Sequence, residues 1–193
     1  MKLSCQQSEL KSGLAVVRGT VATRTAHVLF ATDGGRLKLS AINLEIAISR
    51  WVGAKVEVEG AIAVPVRLLT GFVNSLPDDR IDMTLAKPTR LELTCGRRKA
   101  HINGVDAGDF PSIPQVAAGV GAKIDPEALR QGVAMVAFAA STEDTRHVLT
   151  GVNMELEGDK LTLVASDGVR LSRLLLGLLS PVAQRTVVIV PAA

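Results

Sequence analysis

Polar and apolar residues alternate along several short stretches of the chain. Residues 161–166 are LTLVAS, an Asp-Gly pair follows at once, and the alternation resumes over 169–173 as VRLSR. A period of two is typical of a half-buried strand, and Asp-Gly between two such runs predicts a hairpin. Residues 35–50, GRLKLSAINLEIAISR, show a similar pattern. The alternation alone does not explain why Arg170 stands directly beside the later turn.

A second period, that of the α-helix, marks the start of the chain. One helix face is formed at positions i, i+4, i+7 and i+11 by Leu10, Leu14, Val17 and Val21. Ser8 is a candidate N-cap for this helix. A second long helix is predicted to have Asp125 as its cap and Pro126 in its first position, and to run to about Ala140. Helical spacing also predicts a short helix over 64–77.

The chain contains two copies of one pattern. Four segments recur in the same order at offsets between 119 and 126 residues: 10–17 with 129–136, 36–41 with 160–165, 46–50 with 169–173, and 62–67 with 188–193. We interpret this as duplication of a domain of about 120 residues. The predicted domains are 1–117 and 118–193, joined by a connector over 106–123. The second copy is expected to be partial, because Ala193 aligns with Arg67.

Composition and charge narrow the class of protein. Hydrophobic residues make up 47% of the 193 residues but aromatic residues only 3%, so the core must be aliphatic. Residues 1–100 hold 15 Lys and Arg against 9 Asp and Glu, whereas 101–193 hold 7 against 10. This distribution allows a polyanionic partner for the first half without predicting tight electrostatic DNA binding. Two cysteines and no membrane-length apolar run favour a reduced, cytoplasmic protein without a membrane span.

Candidate catalytic and metal-binding residues are sparse. The three histidines, His27, His101 and His147, lack the spacing of a metal site. Residues 141–147, STEDTRH, hold a serine, an aspartate and a histidine, but no nucleophile elbow accompanies them. A helix end is the favoured interpretation of this segment. No metal or cofactor is predicted, and an enzyme is the weaker hypothesis, with a hydrolase that uses Ser141 and His147 as the alternative.

The repeat and three further segments resemble the bacterial DNA polymerase III beta subunit family, the sliding clamps. The segments are DFPSIP at 109–114, TRHVLTGVNMELEGDKLTLVASDGVRLS at 145–172, and VIVPAA at 188–193. The resemblance covers essentially the whole chain and implies an α+β clamp fold, with antiparallel sheets outside and helices on the inner face around duplex DNA. In the family, each chain carries three such domains and two chains close into a ring. The resemblance therefore implies a processivity factor without catalytic residues of its own, an accessory subunit of a DNA polymerase.

The resemblance also implies a role for the hairpin arginine. In the family, the Asp-Gly-x-Arg-Leu turn forms part of a pocket that takes short linear peptides from the polymerase core, the clamp loader and repair polymerases. The matching positions here are Leu149, Ser166, Gly168, Val169, Arg170 and Leu171. Glycine lets a partner backbone come close, the apolar residues offer contact surface, and the arginine supplies donors. A third domain completes the pocket in the family, so weak or no peptide binding is expected for this chain alone.

The resemblance further implies DNA contacts and a subunit interface. The family's inner-surface positions correspond to Arg24 and Arg67. Two further cations, Lys11 and Arg18, lie on the first helix and are expected to contribute. Mobile phosphate contacts of this kind predict weak, salt-sensitive DNA binding without sequence preference. The edge strand RRKAHI at 97–102 matches the family's homodimer interface. Its positive charges are expected from Arg97 and Lys99.

The chain departs from the family pattern after Arg24. Family members usually have several more residues, including a Leu-Pro, between this position and the first strand of the hairpin, so the placement of Arg24 stays open. Together with the partial second copy, this departure predicts a truncated clamp chain. The alternative is a stand-alone α+β protein-interaction module that cannot form a ring.

Overall fold

The computed structural model describes residues 1–19, 27–43, 46–113 and 121–192, and the chain divides into two compact units, Met1–Pro114 and Gln115–Ala193. In chain order, the elements of unit 1 are β1 (Lys2–Gln6), α1 (Gln7–Arg18), β2 (His27–Asp33), β3 (Arg36–Ile42), β4 (Ala47–Val52), β5 (Lys55–Val58), β6 (Ala61–Pro65), α2 (Val66–Ser75), β7 (Arg80–Lys87), β8 (Arg90–Cys95) and β9 (Arg98–Asn103). Those of unit 2 are α3 (Pro126–Ala137), β10 (Gly151–Glu157), β11 (Lys160–Ser166), β12 (Leu171–Gly177) and β13 (Thr186–Pro191).

Unit 1 consists of two antiparallel sheets and a pair of packed helices. The strand orders are β5-β1-β7-β8-β9 and β4-β3-β2-β6. Helix α1 packs on β3 and β4 and against α2. The fully buried side chains between these layers include Phe30, Leu39, Leu69 and Leu93. Because these side chains are almost all aliphatic, the low aromatic content of the sequence is compatible with a dry core.

Unit 2 repeats the smaller sheet of unit 1. Its strand order, β12-β11-β10-β13, has the same connectivity as β4-β3-β2-β6, and α3 packs on it at the position that α1 occupies in unit 1. In both units the first hairpin is tight, since Asp33 pairs with Arg36 and Glu157 pairs with Lys160. The predicted α+β class with antiparallel sheets and the duplicated arrangement are confirmed.

One glycine in each copy brings the helix close to its sheet. A Cβ on Gly13 of α1 would lie 2.6 Å from Cγ2 of Val52. A Cβ on Gly132 of α3 would lie 2.7 Å from Cδ1 of Leu176. Gly13 and Gly132 occupy equivalent positions in the repeated segments 10–17 and 129–136. The repeat therefore preserves the distance between helix and sheet as well as the order of the elements.

The helix ends agree with the sequence in two cases and differ in two. Helix α3 ends at Ala137, three residues before the predicted end at about Ala140. The Asp125 carboxylate accepts a hydrogen bond from the Ala128 N–H at 2.9 Å, which confirms the predicted cap of α3. Helix α2 falls inside the predicted range. The prediction of Ser8 as the cap of α1 is wrong, because β1 passes directly into the helix at Gln7 and Gln6 occupies the N-cap position without a side-chain bond. The predicted helical position Val21 lies outside the described residues.

The edge strand of the larger sheet begins one residue later than predicted. Gly96, with φ at +55°, and Arg97 form the turn between β8 and β9, so Arg97 is not on the strand. The Arg98 guanidinium donates to the backbone oxygen of Ser75, at the end of α2. Lys99 is exposed on the strand itself. The two predicted interface cations therefore occupy different settings, a turn and a strand.

The predicted connector starts as part of unit 1. Val105 and Ala63 of β6 exchange backbone hydrogen bonds at 2.8 and 3.1 Å. The Asp106 carboxylate accepts from the Gly108 N–H at 2.8 Å and caps a single 3-10 turn, Ala107–Asp109. Lys123 already belongs to unit 2, where it bridges to Ser180.

Among the helices of the described ranges, none is both long enough and apolar enough to cross a bilayer.

Candidate functional site

The turn between β11 and β12, residues 167–170, is ordered by its own side chains. The Asp167 carboxylate accepts from the N–H groups of Val169 and Arg170 through one oxygen, at 3.0 and 2.9 Å. Its other oxygen accepts from Nε of Arg170 at 2.8 Å. The Ser166 hydroxyl accepts from the Gly168 N–H at 3.1 Å and donates to the Arg170 carbonyl at 2.8 Å. We call this element the β11–β12 turn.

Gly168 gives this turn its shape. Its φ is +92°, a conformation that side-chain-bearing residues rarely adopt. The backbone N–H groups of Gly168, Val169 and Arg170 are bonded within the turn, and the apolar residues next to it are exposed. The side chain of Val169 is 96% exposed and that of Leu171 is 67% exposed. Exposed apolar side chains beside a fixed turn provide a ready contact surface for a partner.

A second segment approaches the turn from the end of α3. Leu149 is half-buried at the end of a short 3-10 segment, Asp144–Leu149, and its carbonyl accepts from the Ser141 N–H at 2.8 Å. Arg146 of the same segment places Nη1 3.4 Å from the point where a Cβ on Gly168 would stand. The six predicted pocket residues thus lie on two neighbouring segments of unit 2, and five of the six belong to the β11–β12 turn and its flanks.

The sequence did not reveal two side chains that contact Arg170. Phe138, immediately after α3, is 61% exposed, and the Arg170 guanidinium lies 5.6 Å from the centre of its ring. Asp167 was recognised as a turn residue but not as the partner of Arg170. The sequence pattern alone does not distinguish an exposed phenylalanine at this position from one on the buried face of the preceding helix. Only the return of β12 beside the end of α3, where the Ser172 hydroxyl donates to the Met135 carbonyl at 3.0 Å, brings these groups together.

The electrostatics of the turn favour an ionised carboxylate. The N–H groups of Arg170 and Val169 donate to Asp167, and the Arg170 guanidinium adds a bond and a positive charge, so the pKa of this carboxyl lies below its usual value. The Arg170 side chain is 58% exposed and the Asp167 side chain 24% exposed, so solvent screens part of their attraction. The main effect of the pair is therefore on the geometry of the turn.

The predicted DNA-contacting residues lie mainly on the helices of unit 1. Lys11 and Arg18 are exposed on α1, and Arg67 is exposed in the first turn of α2, which packs against α1. Within the described part of the chain, no ion pair involves any of these three cations. Arg24 lies outside the described residues. Lys11 and Asp78 both line a shallow depression of about 430 Å³.

The alternative hydrolase site gains no support from the described side chains. The Ser141 hydroxyl accepts from the Glu143 N–H at 3.1 Å, as expected of a turn-capping serine. The side chain of His147 is outside the described part of the molecule. Among the side chains that are described, no group of three or more His, Cys, Asp and Glu could hold a metal ion.

Two family models match the chain, and together they cover most of it. Residues 1–114 match the model of the DNA polymerase III beta subunit, N-terminal domain. Residues 123–193 match the model of the DNA polymerase III beta subunit, central domain. The chain is also 36% identical over 180 residues to a protein named beta sliding clamp from Synechococcus elongatus, covering 89% of this chain and 48% of that protein. The chain thus spans about half the length of the curated relatives it matches.

Solved structures agree with the family models. The DNA polymerase III subunit beta from Pseudomonas aeruginosa superposes with a TM-score of 0.92 at 31% identity, over 100% of this chain and 54% of that chain. A second structure, of a sliding clamp from Pseudomonas aeruginosa bound to griselimycin, superposes with a TM-score of 0.89 at 30% identity, with the same coverage. The fold predicted from the sequence is therefore that of solved members of this family.

Proposed function

The chain belongs to the DNA polymerase III beta subunit family, and on that premise we propose that it acts as a cytoplasmic sliding-clamp processivity subunit. Such a protein encircles duplex DNA without reading its sequence and tethers the polymerase core, the clamp loader and repair polymerases through short linear peptides. The observation that carries the proposal is the internally bonded β11–β12 turn, which presents Val169, Arg170 and Leu171 on the surface of a family-typical domain.

The DNA-holding part of the proposal rests on the helices of unit 1. Lys11, Arg18 and Arg67 are exposed there. Within the described residues none of them forms an ion pair that would have to break before it could approach a phosphate. A few cations of this kind supply weak, salt-dependent attraction rather than tight binding. Topological linkage would then retain the protein on DNA.

The first experiment tests topology. Size-exclusion chromatography with light scattering is run on the chain with and without nicked circular DNA, and again after the circle is linearised. A closed assembly that stays on the circle and leaves after linearisation is the expected result for a working clamp. A monomer that ignores DNA topology, or binding that persists on linear DNA at high salt, contradicts the proposal of encirclement.

The second experiment tests tethering. A fluorescein-labelled peptide with the clamp-binding segment of a DNA polymerase III core is titrated with the chain, and griselimycin serves as a second probe because a Pseudomonas aeruginosa clamp binds it. We expect weak or no binding, with any Kd in the micromolar range or weaker, because residues 1–193 match only the N-terminal and central domain models and a third domain completes this pocket in the family. Loss of binding in Arg170→Ala would locate it at the β11–β12 turn. Submicromolar affinity would overturn the expectation that unit 2 provides only part of the pocket.

A stand-alone interaction module is the second candidate. Unit 2 has exposed apolar residues, including Val187 and Val188 on β13, which is the edge strand of its sheet. These residues favour contacts with other proteins. This candidate predicts peptide or protein binding without any dependence on circular DNA. The topology experiment therefore separates the two functions.

A further inference from the structure

We propose that Asp167 and Phe138 are positioning residues that hold the Arg170 guanidinium in one orientation, so that its free N–H groups are aimed at an incoming partner peptide. The inference rests on the proposed function for the site and deepens it. It concerns how the site is prepared before the partner arrives.

The carboxylate fixes one edge of the guanidinium. Asp167 bonds both to the backbone N–H of Arg170 and to its Nε, at 2.9 and 2.8 Å. The same residue therefore controls where the arginine side chain starts and where its planar group lies. Nε is occupied, and no hydrogen bond of the terminal nitrogens, Nη1 and Nη2, occurs within the described residues, so both remain for a partner.

The aromatic ring supports the guanidinium from a different element. Phe138 follows α3, whereas Arg170 precedes β12, and the guanidinium lies 5.6 Å from the ring centre, within the range of a cation–π contact. Phe138 is 61% exposed, so core packing does not explain its presence. Its contact with Arg170 joins the end of the helix to the β11–β12 turn.

A held arginine suits peptide recognition. A free arginine side chain loses considerable rotamer freedom when it binds, and a pre-organised one loses less per hydrogen bond formed. The Arg170 side chain is still 58% exposed, so its outer N–H groups are accessible. Removing either support should therefore weaken partner binding through Arg170 alone.

Four variants separate positioning from simple structural effects. Asp167→Asn retains an oxygen that can accept the N–H groups of the turn but loses the carboxylate partner of Nε, whereas Asp167→Ala loses both. Phe138→Leu keeps an apolar side chain without a π face, and Phe138→Tyr keeps the face. Each is also made in the Arg170→Ala background. The matched control is Trp51→Leu, which removes an aromatic ring that Lys38 approaches to 4.9 Å in unit 1.

Two readouts are measured on the full chain. The first is the Arg170 Nε–Hε NMR signal and its order parameter, which needs no partner. The second is the Kd of the labelled clamp-binding peptide. We expect an ordered Nε–Hε signal in the wild type that becomes mobile in Asp167→Asn and Phe138→Leu. We expect each of these variants to weaken peptide binding by about two- to fivefold, and Phe138→Tyr to restore it.

The outcomes distinguish this proposal from the proposed function. In the Arg170→Ala background, Phe138→Leu and Asp167→Asn should cause no further loss, and Trp51→Leu should change neither readout. Equal losses for Phe138→Leu and Phe138→Tyr, or a loss that persists without Arg170, would mean that these residues act by another contact, and the positioning role would be wrong. An ordered Nε–Hε signal released by both variants, in a chain that binds neither peptide nor griselimycin, would instead support the positioning role and overturn peptide binding by this chain alone.

Discussion

At the scale of single residues, the candidate site depends on one carboxylate and one glycine. Asp167 accepts three hydrogen bonds within four residues of chain, and Gly168 adopts the positive φ that lets the turn close. Both belong to an Asp-Gly pair that the sequence marks as a turn. Their roles differ, because the carboxylate fixes polar groups whereas the glycine relieves backbone strain.

Replacing Gly168 should strain the turn. In Gly168→Ala, the new Cβ meets a φ of +92° and stands 3.4 Å from Nη1 of Arg146, so we expect the free energy of unfolding to fall by about 1–2 kcal/mol. Urea denaturation measures the change. Gly177→Ala is the matched control, because nothing lies within 4 Å of its Cβ position and its φ is not positive. Equal losses in the two variants would contradict the role of positive φ.

The Asp167 carboxylate should make the turn sensitive to acid. Its pKa is depressed in the folded chain by hydrogen bonds from the backbone of Arg170 and Val169. The stabilisation is therefore complete above the usual aspartate pKa of about 4 and is lost as pH falls through the lower folded value. We expect the stability difference between wild type and Asp167→Asn to be constant from pH 6 to 8 and to shrink below about pH 4. Urea midpoints across this range check the prediction, and a difference that grows in acid would refute it.

At the scale of elements, the same helix-to-sheet contact occurs twice. Gly13 of α1 and Gly132 of α3 both face side chains of their sheets at distances that leave no room for a methyl group. The glycine lowers helix propensity, and the close packing compensates for that cost. This is why a residue unfavourable in helices occupies the same place in both copies.

Alanine at either glycine should destabilise its unit. The methyl group would be 2.6 Å from Val52 Cγ2 in Gly13→Ala and 2.7 Å from Leu176 Cδ1 in Gly132→Ala. Overpacking of this kind outweighs the gain in helix propensity, and a net loss of about 1–2 kcal/mol is expected in thermal or urea unfolding. Gly71→Ala in α2 is the control, since its Cβ position is open, and it should be neutral or stabilising. If Gly13→Ala were as harmless as Gly71→Ala, the close approach would not matter.

At the scale of the whole molecule, the two units have cores of different size. The buried cluster of unit 1 extends from Met1 to Ile102 and involves both of its sheets and helices. The cluster of unit 2 is smaller and lies between α3 and one sheet. Strand β13, at the edge of that sheet, exposes consecutive apolar side chains at 187–190.

Hydrogen exchange should therefore differ between the units. Opening free energies follow the buried apolar contacts of each cooperative region, so the amides of β3 and β8 should exchange more slowly than those of β10 and β13. Mass spectrometry of exchanged peptides measures this on the intact chain. Equal protection of both units in a monomer would mean that unit 2 obtains stability from a source other than its own core.

Many features of the fold were predictable from local patterns. Period-two alternation marked strands, helical spacing and Asp125 marked the helices, and the repeated segments predicted a duplicated pattern, which the matching strand orders of the two units show. These features depend on neighbouring residues, for which the chain itself sets the geometry. The resemblance to the family also pointed to the turn residues of the candidate pocket, because that motif lies within one short segment.

Only the tertiary structure decided which distant groups meet. Phe138 and Arg170 are far apart in sequence, and their contact arises because β12 returns beside the end of α3. The Ser8 cap failed for a related reason, since β1 leads straight into α1 and leaves no loop for a cap. Local periodicity determined the elements of this protein because it reflects burial along one strand or helix. The packing of the elements determined the surroundings of Arg170, because cation–π and side-chain contacts depend on distances that no period encodes.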